Sequence, residues 1–293
     1  MDAAKWGLAT ILALSTLAGV ARADDAPATP APDKSGFSLA DPTPTADLRA
    51  FCTDRPTKSS APCTVDAGHF QFESDVFNLT YDTSAGADTT TLLYSNPTFK
   101  LGLTNTIDAE ISIAPWQTIA STDRASGRTT RAFGVGDLFL RLKANLAGDD
   151  GGDFAMALSP YVKVPTAPNS VGNGAVEAGL SAPIQIGLPA NWSLSLVPEA
   201  DVLKNADDGG RHLNVSGVLS LSRPLSKTLT GSAEIWSDVN FDPAGAVTQA
   251  SFDLGAGWIP AAHPNFQLDG GVNLGLNNQT PAAQAYVGIS QRF

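Results

Sequence analysis

Residues 134–148 read GVGDLFLRLKANLAG. Leu138, Leu140, Leu142, Ala144 and Leu146 fall on one phase; Asp137, Phe139, Arg141, Lys143 and Asn145 fall on the other. Successive side chains of a strand point to opposite faces. The stretch therefore predicts a long strand with one purely apolar face and one polar, charged face. The same dyad recurs along the chain. Ile107, Ala109, Ile111 and Ile113 oppose Asp108, Glu110 and Ser112; Leu229, Ala233, Ile235 and Val239 oppose Thr230, Ser232, Glu234 and Asp238. Twelve segments of this kind are expected: 69–81, 91–103, 107–118, 134–147, 153–165, 174–188, 191–204, 211–225, 227–241, 248–259, 264–276 and 282–293.

An even number of antiparallel strands suits a closed sheet with both ends on one side. The connections after segments two, four, six, eight and ten are mostly tight. The third, ASTDRASGRTTRAFG, is expected to be the longest and most polar loop, and TAPNSVGNG and NADDGGR are also loop-like. Short turns alternating with longer loops are the pattern of outer-membrane barrels, the short turns being periplasmic. A soluble β-sandwich would also alternate, apolar inward and polar outward. Against it stand segments of twelve residues and more, where soluble strands usually run ~5–6. Charged residues make up only 16% of the chain, low for a solvated surface. Tyr81, Trp116, Trp192, Trp236, Trp258 and Tyr286 fall near segment ends, as interfacial girdles do, with Trp236 on the polar phase. The expected fold is an all-β transmembrane antiparallel barrel of about twelve strands.

The last residues, AYVGISQRF (285–293), keep the strand alternation to the end, although chain ends usually fray. A closed barrel explains this, because its last strand pairs with its first and leaves no edge. Bacterial outer-membrane proteins are similar in ending on a terminal Phe that the barrel-assembly machinery recognises. Phe293 is accordingly the expected assembly signal, lying on the lipid-facing phase of Val287 and Ile289.

Four regions follow. Residues 1–23, with Lys5, the apolar run 8–20 and Ala21-Arg22-Ala23, read as a secretory signal peptide. Residues 24–45 are a Pro/Ala-rich linker. Residues 46–67 form an N-terminal segment, either hanging in the periplasm or folded into the lumen as a plug. Residues 68–293 are the barrel. Cys52 and Cys63 are expected to form one local disulfide, the alternative being two free thiols. With the short turns periplasmic, strand parity in an outer-membrane barrel puts the N- and C-termini in the periplasm. The net charge of −11 argues against nucleic acid as a partner. Outer-membrane lipid, the assembly machinery and an unidentified small solute remain as partners.

The stretches DRPTKSSAPCTVDAGHFQFESD (54–75), NPTFKLGLTNTIDAEIS (96–112), GVGDLFLRLKANL (134–146) and PYVKVPT (160–166) resemble a proteobacterial outer-membrane transporter family labelled as a phenol-degradation meta-pathway protein. The likeness runs from about residue 41 to 293. Its G-x-G-D-x-x-x-x-x-K pattern falls on Gly134, Gly136, Asp137 and Lys143, and the following K-x-P on Lys163 and Pro165. The resemblance implies uptake of small, in part aromatic, compounds. The cysteine pair departs from it, Cys63 above all.

The inward phase carries the chemistry. Strand parity places Lys100, Glu110, Asp137, Arg141, Lys143, Lys163, Glu177, Glu199, Asp201, Glu234, Asp238 and Asp253 on the lumen, with Glu73, Asp75, Asp108, Asp269 and Arg292. Such an acidic lumen favours cations or neutral solutes. The same charges could instead cross-link a narrow lumen, because twelve strands lie between filled and open barrels. Lys100, Arg141, Lys143 and Lys163 could form a basic wall facing the acidic one. Passive passage of small molecules is therefore the expected function. A non-conducting surface barrel is the alternative, and an outer-leaflet lipid hydrolase using Asp207, Asp208 and His212 a remote one. His69, His212 and His263 have no metal-ligand spacing, and no cofactor motif occurs, so neither metal nor cofactor is expected.

Overall fold

The computed structural model describes residues 33–293, except Ala85 and Asp208. The expected signal peptide and residues 24–32 of the linker lie outside the described residues. Twelve chain passes make the barrel. They are β1 (Phe70–Asp82), β2 (Ala87–Ser95 and Thr98–Thr104), β3 (Ile107–Ile113 and Trp116–Asp123), β4 (Thr129–Gly134 and Leu138–Ala147), β5 (Phe154–Val164) and β6 (Glu177–Ser181 and Ile184–Leu188), followed by β7 (Trp192–Lys204), β8 (Arg211–Pro224), β9 (Leu229–Asn240), β10 (Val247–Trp258), β11 (Phe266–Gly275) and β12 (Ala283–Arg292). Each pairs antiparallel with the next, and β1 pairs with β12 from Gln71↔Arg292 to Tyr81↔Ala283. The sheet is therefore closed. Phe293 adds a last backbone bond, its N–H donating to the Phe70 carbonyl at 2.8 Å. Cys52 and Cys63 are disulfide-bonded.

Four passes are interrupted, three of them at prolines: Pro97 in β2, Pro115 in β3 and Pro183 in β6. Proline has no N–H to give to a ladder. β4 breaks at Val135-Gly136-Asp137, where the Gly136 N–H donates to Ala114 at 2.7 Å.

The ladders near the far ends differ from expectation. The run 120–134, expected as the longest loop, is mostly strand: Trp116–Asp123 pairs with Thr129–Gly134 from Gln117↔Gly134 to Thr122↔Thr129. β2 likewise begins at Ala87 rather than at 91. The exposed aromatic rings of the apolar phase end at Tyr94, Trp116 and Phe133, the last two in ring contact at 5.5 Å, with Leu92 and Ala120 the apolar residues past them. Beyond them the same phase carries Thr90, Thr118, Thr122 and Arg131. The pairing continues past the level where lipid demands apolar side chains, so a hydrophobic period underestimates these strands.

The barrel is inside out relative to a soluble protein. Its largest fully buried side chains include Lys143, Glu234, Asp66, Asp108 and Asp253, while Leu140, Leu142, Leu146, Ile235, Leu254 and Val287 are exposed. Tyr81, Trp116, Trp192 and Trp258 are exposed with them. Trp236 and Tyr286 are not girdle residues: Tyr286 is buried, with Arg55 over its ring, and Lys58 lies 4.5 Å from the centre of the Trp236 ring. Their parity puts them on the inner face, which outweighs their position near strand ends.

Candidate functional site

The lumen is occupied by the chain that precedes β1. Its core is the loop closed by Cys52–Cys63. Such a closure removes conformations that the free segment would otherwise lose on seating. Inside that loop, Asp54 accepts hydrogen bonds from Lys100 at 2.5 Å and from Lys143 at 2.8 and 3.0 Å. Arg55 bridges Asp75 at 2.5 Å and Asp269 at 2.7 Å. Lys58 pairs with Asp253 at 2.9 Å, and its N–H donates to Glu234 at 2.9 Å. Ser59 also bonds Glu234. Farther along, Asn145 donates to the Pro62 carbonyl at 2.9 Å and Val65 donates to Asp108 at 2.9 Å. The wall partners thus come from β1–β4 and β9–β12.

Glycine makes room for this seat. A Cβ on Gly288 would fall on the Arg55 guanidinium and the Ser74 carbonyl. A side chain at 288 would also press on the β1 backbone, so the cleaner change is Arg55→Ala, which is expected to remove the bridge to Asp75 and Asp269 while leaving the β1–β12 ladder intact. Faster cleavage of residues 46–67 by added protease, with an unchanged heat-modifiable gel shift, checks this. Equal protection of both chains would contradict it.

A second cluster fastens the segment near the turn at residues 148–153. Asp66, fully buried, accepts from Arg49 at 3.1 Å and from Arg292 of β12 at 3.2 Å. Arg49 also pairs with Asp149 and donates to Asn105 at 2.7 and 2.8 Å. Lys34 pairs with Asp150 at 2.7 Å. Burial raises the Asp149 carboxyl above the ordinary carboxylate range, against the pull of Arg49 and Thr64. Burial opposes ionisation of Asp150 as well, but its bonds from Lys34 and Asn105 hold it below that range.

All twelve lumen residues of the sequence reading lie on the inner face, buried or half-buried, but they separate into four groups. Lys100, Lys143 and Arg141 surround Glu110, at 4.0, 3.2 and 3.3 Å. Lys163 pairs with Asp137 at 3.1 Å and Glu177 at 2.7 Å, and Asn173 of the β5–β6 loop bonds both Lys163 and Glu177. These bases therefore do not stand as a bare basic wall, since each is matched by carboxylates on neighbouring strands or on the segment. Glu234 and Asp253 hold the segment. Glu199, Asp201 and Asp238 form the fourth group. No ion pair reaches any of them among the described residues; Asp201 accepts from Tyr161 at 2.8 Å, and Asn214 donates to Asp201 and Asp238. Gly179 lies between Tyr161 and Asp201 in the register, and a Cβ there would collide with both.

Sequence reading missed Asp54, Arg55, Lys58 and Asp66 as lumen residues. They sit in a stretch without strand period, so parity has nothing to say about them. It also grouped His212 with Asp207 and Asp208. His212 is buried and bonded to Asn205 at 2.9 Å, while Asp207 caps its own turn by accepting from Gly209; Asp208 lies outside the described residues.

The segment leaves one side of the lumen uncovered. A cavity of about 360 Å³ lies between Asp54–Ser60 and the inner faces of β4–β9, bounded by Arg141, Ser159, Glu199, Val218 and Trp236 among others.

Known proteins compare as follows. A family model described as "Putative MetA-pathway of phenol degradation" matches residues 53–293. The COG4313 outer membrane channel from Pseudomonas putida F1 is similar in structure, with a TM-score of 0.64 at 15% identity over 81% of this chain and 99% of that one. The β domain of the Bordetella autotransporter BrkA matches with a TM-score of 0.46 at 13% identity, over 77% and 99% of the two chains. No curated protein matches the chain. The fold is that of an outer-membrane β-barrel.

Proposed function

Because the chain belongs to the family described as "Putative MetA-pathway of phenol degradation", and because a polar cavity runs beside its seated N-terminal segment, we propose that it is an outer-membrane channel for passive passage of small molecules. The cavity is the observation that carries this reading. The segment contacts β1–β4 and β9–β12 through ion pairs and hydrogen bonds and leaves the small inner side chains of β5–β8, such as Ser159, Ser181 and Ser216, bordering the cavity. Glu199 lines it and Asp201 and Asp238 stand beside Glu199; this cluster of carboxyl groups, with no cation within 4 Å among the described residues, favours cations and net-neutral solutes over anions. We place both chain ends, and the turns at 105–106, 148–153, 189–191, 225–228 and 259–265, on the periplasmic side. Barrel-assembly machinery is the proposed partner during biogenesis, through Phe293. The protein has no catalytic role in this reading.

Liposome swelling tests it. Small uncharged polyols should enter vesicles holding the refolded chain, and larger oligosaccharides should be excluded. The family's description adds phenol to the solutes worth trying. A folded barrel that passes none of these would favour the non-conducting surface barrel.

A further inference from the structure

The cavity beside the segment presents three chemistries at once. On one side is Arg141, whose guanidinium donates to Glu110 at 3.3 Å and leans on the Tyr161 ring. The rest of its donor fork makes no other hydrogen bond among the described residues, although Asp54 and Glu199 lie within its electrostatic reach, and its side chain is partly exposed to the cavity. On another side is Glu199, which lies beside Asp201 and within electrostatic reach of Arg141 but makes no ion pair within 4 Å among the described residues. It sits in the register row Ser159↔Ser181↔Glu199↔Ser216. Between these lies an apolar strip of Val197, Val218 and Trp236, unusual on an inner face that is otherwise polar. Ser159 adds an independent mark: it is only 1% exposed, it borders the cavity, and its hydroxyl has no hydrogen-bond partner.

A fork of N–H donors suits a carboxylate, which it can grip with two parallel bonds. A free carboxylate suits an ammonium group. An apolar strip suits a short hydrocarbon body. One ligand that satisfies all three, and that crosses the acidic vestibule without net charge, is a zwitterion. We propose that this cavity is a binding subsite for small zwitterions with a compact apolar body, of the α-amino-acid type. Arg141 takes the carboxylate, Glu199 takes the ammonium, and Val197, Val218 and Trp236 cover the side chain. The subsite deepens the channel reading and rests on it for its biological sense.

The test is equilibrium binding to the folded chain in detergent, read from Trp236 fluorescence with Trp236→Phe as the blank. L-valine is the probe; isobutyrate and isobutylamine are fragments that each lack one charge. Valine should bind saturably, and each fragment should bind about tenfold more weakly or worse, the usual loss for one charge-assisted hydrogen bond. Arg141→Gln and Glu199→Gln should each weaken valine by a similar factor. Val218→Phe should abolish binding by filling the cavity without touching a charge. All are compared at an equal heat-modifiable gel shift. Equal binding of valine and either fragment, unchanged affinity in the two charge variants, or no saturable signal from the folded chain would overturn the proposal. Binding without solute passage would sink the channel reading alone, and passage without binding would sink the subsite alone.

Discussion

Lys143→Glu is expected to unseat the N-terminal segment. Lys143 is buried between Asp54 and Glu110, at 2.8 and 3.2 Å. Reversing it would place three carboxylates together, with Lys100 and Arg141 as the remaining cations. Removing one partner of a buried pair costs about 3–5 kcal/mol, and a reversal adds repulsion. The lumen side cannot move, because β4 is held by ladders to β3 and β5. Asp54 can move, since the segment joins the barrel mainly through side chains. The expected readouts are a several-fold larger conductance and rapid protease cleavage within residues 46–67, from a barrel that still shifts on heating. Pairing the change with Asp54→Lys should restore both properties toward those of the unmodified chain. Unaltered conductance and protection would show that the Asp54–Lys143 contact does not hold the segment.

Arg49→Ala is expected to have a comparable effect from the other end. Arg49 is the hub between Asp66, Asp149 and Asn105. Without it, Asp66 retains Arg292 and Lys34, but Asp149 loses its ion-pair partner in a buried setting. The cost is again about 3–5 kcal/mol. Because Arg292 belongs to the closing strand and Asn105 and Asp149 to two turns, the cluster ties the segment to three separate parts of the barrel. The loss should appear as a lower unfolding temperature for the region 33–67 by hydrogen exchange, with the strand ladders β7–β10 unaffected. A uniform loss of protection in every strand would instead mean that Arg49 supports the barrel as a whole.

The barrel is legible in the sequence because lipid imposes a strict condition on one face of every strand. Leu138 to Leu146 cannot alternate with charge and remain soluble as a bare strand, and the same logic fixes β7 through β12 to within a residue or two. The condition lapses where lipid ends, so the ladder between Ala120 and Gly134, mixed on both faces, reads as loop. Lumen residues are legible as a set, since parity alone turns them inward. Their partners are not. Asp54 meets Lys143, and Arg55 meets Asp269, across separations that leave no local period. A charged inner wall looks the same in sequence whether it faces water or a plug. Only the three-dimensional match distinguishes Glu110, with three bases within 4 Å, from Glu199, with none that close among the described residues. Trp236 shows two cues in conflict: its place near a strand end points to a girdle, but its phase points inward, and phase decides.

On this reading the N-terminal segment seats in the lumen and leaves a narrow path along β5–β8, entered through an acidic vestibule. Single-channel conductance of the refolded chain in a salt gradient tests this most directly. The account predicts stable steps much smaller than those of Lys143→Glu, with a reversal potential favouring cations. Silence from a folded barrel, or wide anion-preferring steps from the unmodified chain, would contradict it.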